Sequence, residues 1–289
     1  MKKLAWLLAL SLPLAACVVG EDGTGFGDGD GDGNGDGNGN GGGGGGGGGG
    51  GNAANTISSD TTWSGSFDVT AALTVAAGVT VTVEPGTTIN FAPGTRITVN
   101  GTLTAAGTKA APITIGPSVP GGQHGGFHIP AGGLVNLTYV TQVGGPIQTM
   151  GGKVVIVDTS MSGASGGDFL IMSGGELDMS YSQIGLPTGQ DSTHCNLHFG
   201  GPMPNTIKVT NSNISATPYG LMFYGGNNAI FTNNNWFGNQ IDVATQPGVS
   251  GDFTGSWFDE TPPSALGNGG AQLNVATLSP TRLVDAGPR

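Results

Sequence analysis

From Asn55 onward, short runs of Val, Ile, Leu and Phe alternate with Thr, Asn and other polar residues, as in LTVAAGVTVTVEPG (73–86), TTINFAPG (87–94) and TRITVNGTLTAAG (95–107). A period of two is the mark of a strand with one buried face, and glycine, proline and asparagine punctuate the runs where turns belong. No ten-residue stretch carries the 3.6-residue period of an amphipathic helix, so architectures that alternate helices with strands are excluded. The runs recur with loose self-similarity about every 18–25 residues: VTVTV, ITVNGTLTA, GGFHI, LVNLTYV, KVVIVDTSM, FLIMSGGELDMSYSQI, IKVTNSNIS and AIFTNNNWFGN. Units that short cannot bury their own apolar face, and stacking them as coils buries it against the neighbours. Regular two-residue hairpin turns are lacking, which favours stacked coils over a sandwich. At a strand spacing of about 4.8 Å, roughly eight to ten coils give a rod about 40–45 Å long.

The segment VTVEPGTTINFAPGTRITVNGTLTAAGTKAAPITI resembles the opening coils of bacterial right-handed parallel β-helix proteins of the pectin-lyase-like kind. VTNSNIS (209–215) and FTNNNWFGN (231–239) resemble their asparagine-marked turns. Asparagine suits such corners because it tolerates the left-handed backbone region and can stack its amide between coils. The expected fold class is therefore all-β, a right-handed parallel β-helix over residues 53–240, preceded by a disordered linker. Residues 241–289 read as a C-terminal cap or tail, with Trp257 and Phe258 as its packing residues.

The opening MKKLAWLLALSLPLAAC has a basic pair, an apolar run from Leu4 to Leu14 and small residues after it, the design of an export signal too short to span a bilayer. Leu14-Ala15-Ala16-Cys17 resembles the lipobox of bacterial lipoproteins. That resemblance implies cleavage after residue 16 and acylation of Cys17, which makes a membrane the first partner. Val18 follows the cysteine where inner-membrane retention would call for aspartate, so the resemblance implies an outer-membrane lipoprotein of the bacterial cell envelope.

Composition sharpens this picture segment by segment. The chain has 289 residues with 58 glycines, 8 Lys and Arg, and 19 Asp and Glu. So few bases exclude a nucleic-acid binder that works by neutralising phosphates. Much of the glycine lies in residues 20–52, where Phe26 is the one large apolar side chain, so ordering the segment has nothing to offset its entropy cost. As a coil it spans about 30–35 Å and tethers the domain, with residues 17–52 forming the lipidated linker. Asp28-x-Asp30-x-Asp32-Gly33 matches the opening of a calcium loop, but Gly39 occupies the position of the bidentate glutamate. Weak calcium association is the most this tract offers, and no cofactor is expected.

The chemistry-bearing residues of the domain are sparse. Its histidines form two pairs, His124-x3-His128 and His194-Cys195-x2-His198, about three coils apart. Extended chain would set the members of a pair about 13 Å apart, so a metal site of His194, Cys195 and His198 would need a tight loop. The expectation is a semi-buried thiol beside surface imidazoles. Glu176 and Asp178 face one way on a strand, roughly 6.5–7 Å apart, in the range of paired glycosidase carboxylates. Scattered bases and the absence of a lyase or pectinase motif argue against catalysis there. Tyr219, Leu221 and Phe223 read as one core face, with Met222 and Tyr224 opposite. The expected function is a lipid-anchored, non-enzymatic structural, adhesive or glycan-contacting module, with a polysaccharide or other cell-surface ligand as partner. The alternative is a carbohydrate-active enzyme using Glu176 and Asp178.

Overall fold

A computed structural model of the chain describes residues 55–201, 204–260, 265–267 and 270–289. The expected signal segment, Cys17 and the tract containing Asp28, Asp30 and Asp32 lie outside these residues. The described chain winds through ten coils and contributes to three sheets, two of ten strands and one of nine. Each strand pairs in parallel with its counterparts in neighbouring coils, and no helix occurs among the described residues. The result is a right-handed parallel β-helix, the hand that parallel crossovers adopt.

Sheet A includes Thr56–Ile57, Leu73–Val75, Arg96–Val99, Gly126–Pro130, Ile147–Met150, Asp168–Met172, Cys195–Phe199, Tyr219–Phe223 and Ile241–Thr245. Sheet B runs from Thr61–Trp63 to Gln272–Asn274, and sheet C from Ser66–Val69 to Trp257–Phe258. Register keeps like beside like. Ile97, Phe127, Ile147, Leu170, Leu197, Leu221 and Val243 form one buried column. Sheet B contributes Leu103, Val135, Val154, Leu177 and Ile207 in the same way. Toward the C-terminal end the axis is filled by rings, with Phe231 stacked on Phe253 at 4.9 Å and Trp236 on Phe258 at 5.6 Å.

Coil length varies more than the sequence period suggests. The shortest step, Ile57 to Val75, takes 18 residues, and the longest, Thr102 to Leu134, takes 32. The step from Leu170 to Leu197 takes 27. Strand register fixes the cross-section, so the surplus leaves the stack as loops, at 118–125 and 185–194 between sheets C and A and at 107–112 between sheets B and C.

The corner between sheets B and C explains the asparagines. Tyr139, Asp158, Tyr181, Asn211 and Asn233 occupy successive coils there, all with φ between 47° and 58°. The residue that follows each corner points inward and passes a hydrogen bond along the stack. Thr159 accepts from the Val140 amide, Ser182 from Thr159, Ser212 from Ser182, Asn234 from Ser212 and Ser256 from Asn234, at 2.9–3.3 Å. All five side chains are fully buried, so this ladder satisfies amides that water cannot reach.

The coils run on past Gln240. Ile241–Thr245, Ser250–Asp252, Trp257–Phe258 and Gln272–Asn274 continue the three sheets. Phe258 is buried as expected, but it belongs to a strand of sheet C rather than to a separate cap. After Asn274 the chain turns back along the B–C corner. The Leu283 amide bonds Asn235, the Gly287 amide bonds the Asn211 carbonyl, and Arg289 reaches Asp158.

Candidate functional site

Glu176 and Asp178 stand on the outer face of sheet B, in Gly175–Ser180, beside lysines that sequence reading left unplaced. Lys153 lies directly across one strand boundary from Glu176, and Lys208 across the other from Asp178. The ion pairs measure 2.9 and 3.2 Å, with all four side chains about half exposed. The hydrogen bond and charge of Glu176 hold the Lys153 ammonium above its ordinary value. Each carboxylate is thus committed to its own lysine on an open face. A glycosidase acid needs the opposite setting, a partly enclosed carboxyl held protonated. The clefts around Asn228, Ser250, Asp252 and Asn274, and around Asp68 and Asn90, are lined by other residues.

The two histidine pairs separate into different roles. His124 is buried and stacked on Phe91 at 4.3 Å; its Nδ1 accepts from the Gly126 amide and its Nε2 donates to the Val143 carbonyl. Burial lowers its pKa and the Val143 bond only partly opposes that, so it is a neutral packing residue. His128, on the outer face of sheet A, is also lowered, by burial and then by Arg96. Three rungs separate it from His198, through Gln148 and Ile171, as the coil period implies.

His194 and His198 are brought together by a residue that sequence reading missed. Asp168 lies in the preceding coil, in register with Cys195. Its Oδ1 meets His194 Nδ1 at 2.9 Å and its Oδ2 meets His198 Nδ1 at 2.5 Å. Tyr219 and Tyr224 flank the two rings at 5.1 and 5.6 Å. Burial would push the Asp168 carboxyl up, but the hydrogen bonds from His198 and His194, with their charge, outweigh it and hold it below the usual range. The signal that could have found Asp168 is the 27-residue length of this coil, visible only once the register is known.

Cys195 lies beneath this cluster. Its side chain is completely buried with Met222 and Ala244, and Sγ donates to the Leu197 carbonyl. Burial, then the charge of Asp168, drives the thiol well above its normal pKa, which makes it inert. The thiol is thus fully buried, and the imidazoles beside it are partly covered. Tyr219 corrects a second expectation. Leu221 and Phe223 do enter the core, but Tyr219 faces outward with Met222 and Tyr224. Two-residue alternation fails at Gly220, where the strand enters the sheet.

Among the described residues, no three Asp, Glu, His or Cys side chains come together as a metal cage, and both oxygens of Asp168 are turned to imidazole Nδ1 atoms. Comparison with protein-family models, curated proteins and solved structures finds no match to this chain.

Proposed function

We propose that this protein is a lipid-anchored lipoprotein of the bacterial outer membrane that displays a stiff β-helix as a non-enzymatic structural, adhesive or glycan-contacting module. The observation that carries this reading is the lysine pairing of Glu176 and Asp178 on an open strand face. The most plausible catalytic pair in the sequence is neutralised in place, and the rod offers long flat faces instead. The signal and Leu14-Ala15-Ala16-Cys17 supply the anchor, and the glycine-rich tract supplies the reach.

Reducing-end release from a panel of acidic and neutral polysaccharides tests the absence of catalysis. Full-length protein and Glu176→Gln give the same background, while co-sedimentation with insoluble glycans or whole cells reads contact without turnover. Release of reducing ends by the wild type that Glu176→Gln abolishes overturns the reading and establishes the enzyme alternative.

A further inference from the structure

Near the C-terminal end of the rod, the outer face of sheet B carries an open trough of about 500 Å³, within the range of small-ligand sites. Register builds it. Asn228, Ser250 and Gln272 stack in one outward column, and Asp252 and Asn274 stack in a second column two residues further along the strands. Such columns lie about 6.5–7 Å apart, and successive rungs about 4.8 Å apart. Ala229, Gly251 and Leu273 alternate with these residues and face the core, so backbone forms the floor. The polar groups on the walls are oriented yet largely unpaired. Asp252 Oδ1 accepts from the Thr254 backbone amide at 3.0 Å, the Thr254 hydroxyl at 2.6 Å and the Asn274 side chain at 2.9 Å, which sets the plane of the carboxylate. These bonds, the Thr254 hydroxyl first, hold the carboxyl below its ordinary value. Asp252 Oδ2 has no hydrogen-bond partner among the described residues, and neither do the side-chain amides of Asn228 and Gln272. Ser250 Oγ accepts from the Asn228 backbone amide at 2.7 Å and keeps its own proton to donate.

We propose that this trough binds a neutral polysaccharide, with Asp252 Oδ2 and the Gln272 amide engaging its hydroxyl groups from opposite walls. The inference rests on the glycan-contacting reading above and gives that contact a place. A sugar hydroxyl both donates and accepts, and walls that combine amides, a hydroxyl and a carboxylate meet both needs. Charge selects the neutral class. Among the described residues that line the trough none is Lys, Arg or His, so the Asp252 carboxylate repels uronate and sulfate groups. Lys208, two rungs away in the second column, is committed to Asp178. A peptide would need apolar pockets for its anchors or a free strand edge to extend. The walls are polar instead, and Ala229–Ile230 and Ser250–Asp252 are paired on both sides. The rungs repeat at about 4.8 Å, close to the rise of one sugar unit in an extended chain, so a polymer laid along the rod presents hydroxyls to each coil in turn.

Affinity electrophoresis of the full-length protein in mild detergent tests this, in native gels that contain mixed-linkage β-glucan, galactomannan or dextran, with polygalacturonate and alginate as the acidic set. At least one neutral polymer retards the wild type, and neither acidic polymer does. Gln272→Ala weakens the retardation about fivefold and Asp252→Asn about tenfold or more, the loss of one neutral and one charge-assisted hydrogen bond. Asp252→Asn keeps an oxygen to accept from Thr254, and both variants retain the wild-type circular-dichroism spectrum. Thr82→Ala, a control on the same face, leaves retardation unchanged. Retardation by a neutral polymer that neither variant weakens removes the trough as the site and leaves glycan contact standing. Retardation by the acidic polymers, alone or equally, overturns the choice of ligand class. No retardation in any gel overturns this inference together with glycan contact, and protease-sensitive binding to whole cells then identifies a protein as the partner.

Discussion

The Arg289 guanidinium closes on the Asp158 carboxylate 131 residues earlier in the chain, with Nε at 3.0 Å from Oδ1 and a terminal nitrogen at 2.9 Å from Oδ2. The Arg289 amide also bonds Oδ1, and the guanidinium lies 3.8 Å from the centre of the Tyr181 ring. Arg282 stacks on Phe237 at 4.0 Å in the same return segment. The Asp158 side chain is only 3% exposed beneath this segment, so the strap both covers the carboxylate and pairs it.

Arg289→Ala therefore lowers the melting temperature by about 2–8 °C and raises amide exchange across residues 282–289. Differential scanning calorimetry and hydrogen exchange read the two effects. Unchanged melting would mean that the strap contributes nothing to stability.

The same pair gives a pH dependence with a definite sign. The Arg289 hydrogen bond, first among several causes, holds the Asp158 carboxyl below its ordinary value. A depressed folded pKa adds stability that is complete above the unfolded value of about 3.9 and disappears as pH falls through the folded one. Wild type thus loses stability below about pH 4 more steeply than Asp158→Asn, in melting curves taken from pH 7 to pH 2.

Ser212 tests the buried ladder. It accepts from the Ser182 amide while its own hydroxyl donates to the Thr210 carbonyl. Ser212→Ala strands that amide away from water and costs about 1–3 kcal/mol in urea unfolding. A loss well under that range would mean that another group replaces the hydroxyl.

Phe231 tests the aromatic axis, where it meets Phe199, Phe223, Trp236 and Phe253 and is fully buried. Phe231→Ala costs about 3–5 kcal/mol, because neighbours held by strand register cannot close the cavity.

Much of the architecture is legible in the sequence because stacked coils depend on local signals. Alternation in VTVTV and ITVNG identifies inward positions, and Asn211 and Asn233 mark the left-handed corners. Tyr139, Asp158 and Tyr181 hold the same conformation without a residue type that announces it. The candidate site was far less legible. Asp168 meets His194 and His198 only through register across a coil lengthened by an extruded loop, and the Lys153–Glu176 and Asp178–Lys208 pairs depend on the same register. The return strap is hidden for a related reason, since nothing near Arg289 in sequence indicates a partner 131 residues away.

The proposed role rests on attachment by lipid, and intact-mass and peptide mass spectrometry of the protein purified from membranes tests that most directly. The account predicts a mature chain that begins at Cys17 and carries a diacylglyceryl thioether and an acylated amino group. A free Cys17 thiol at the mature terminus, or a chain that keeps residues 1–16, would contradict it.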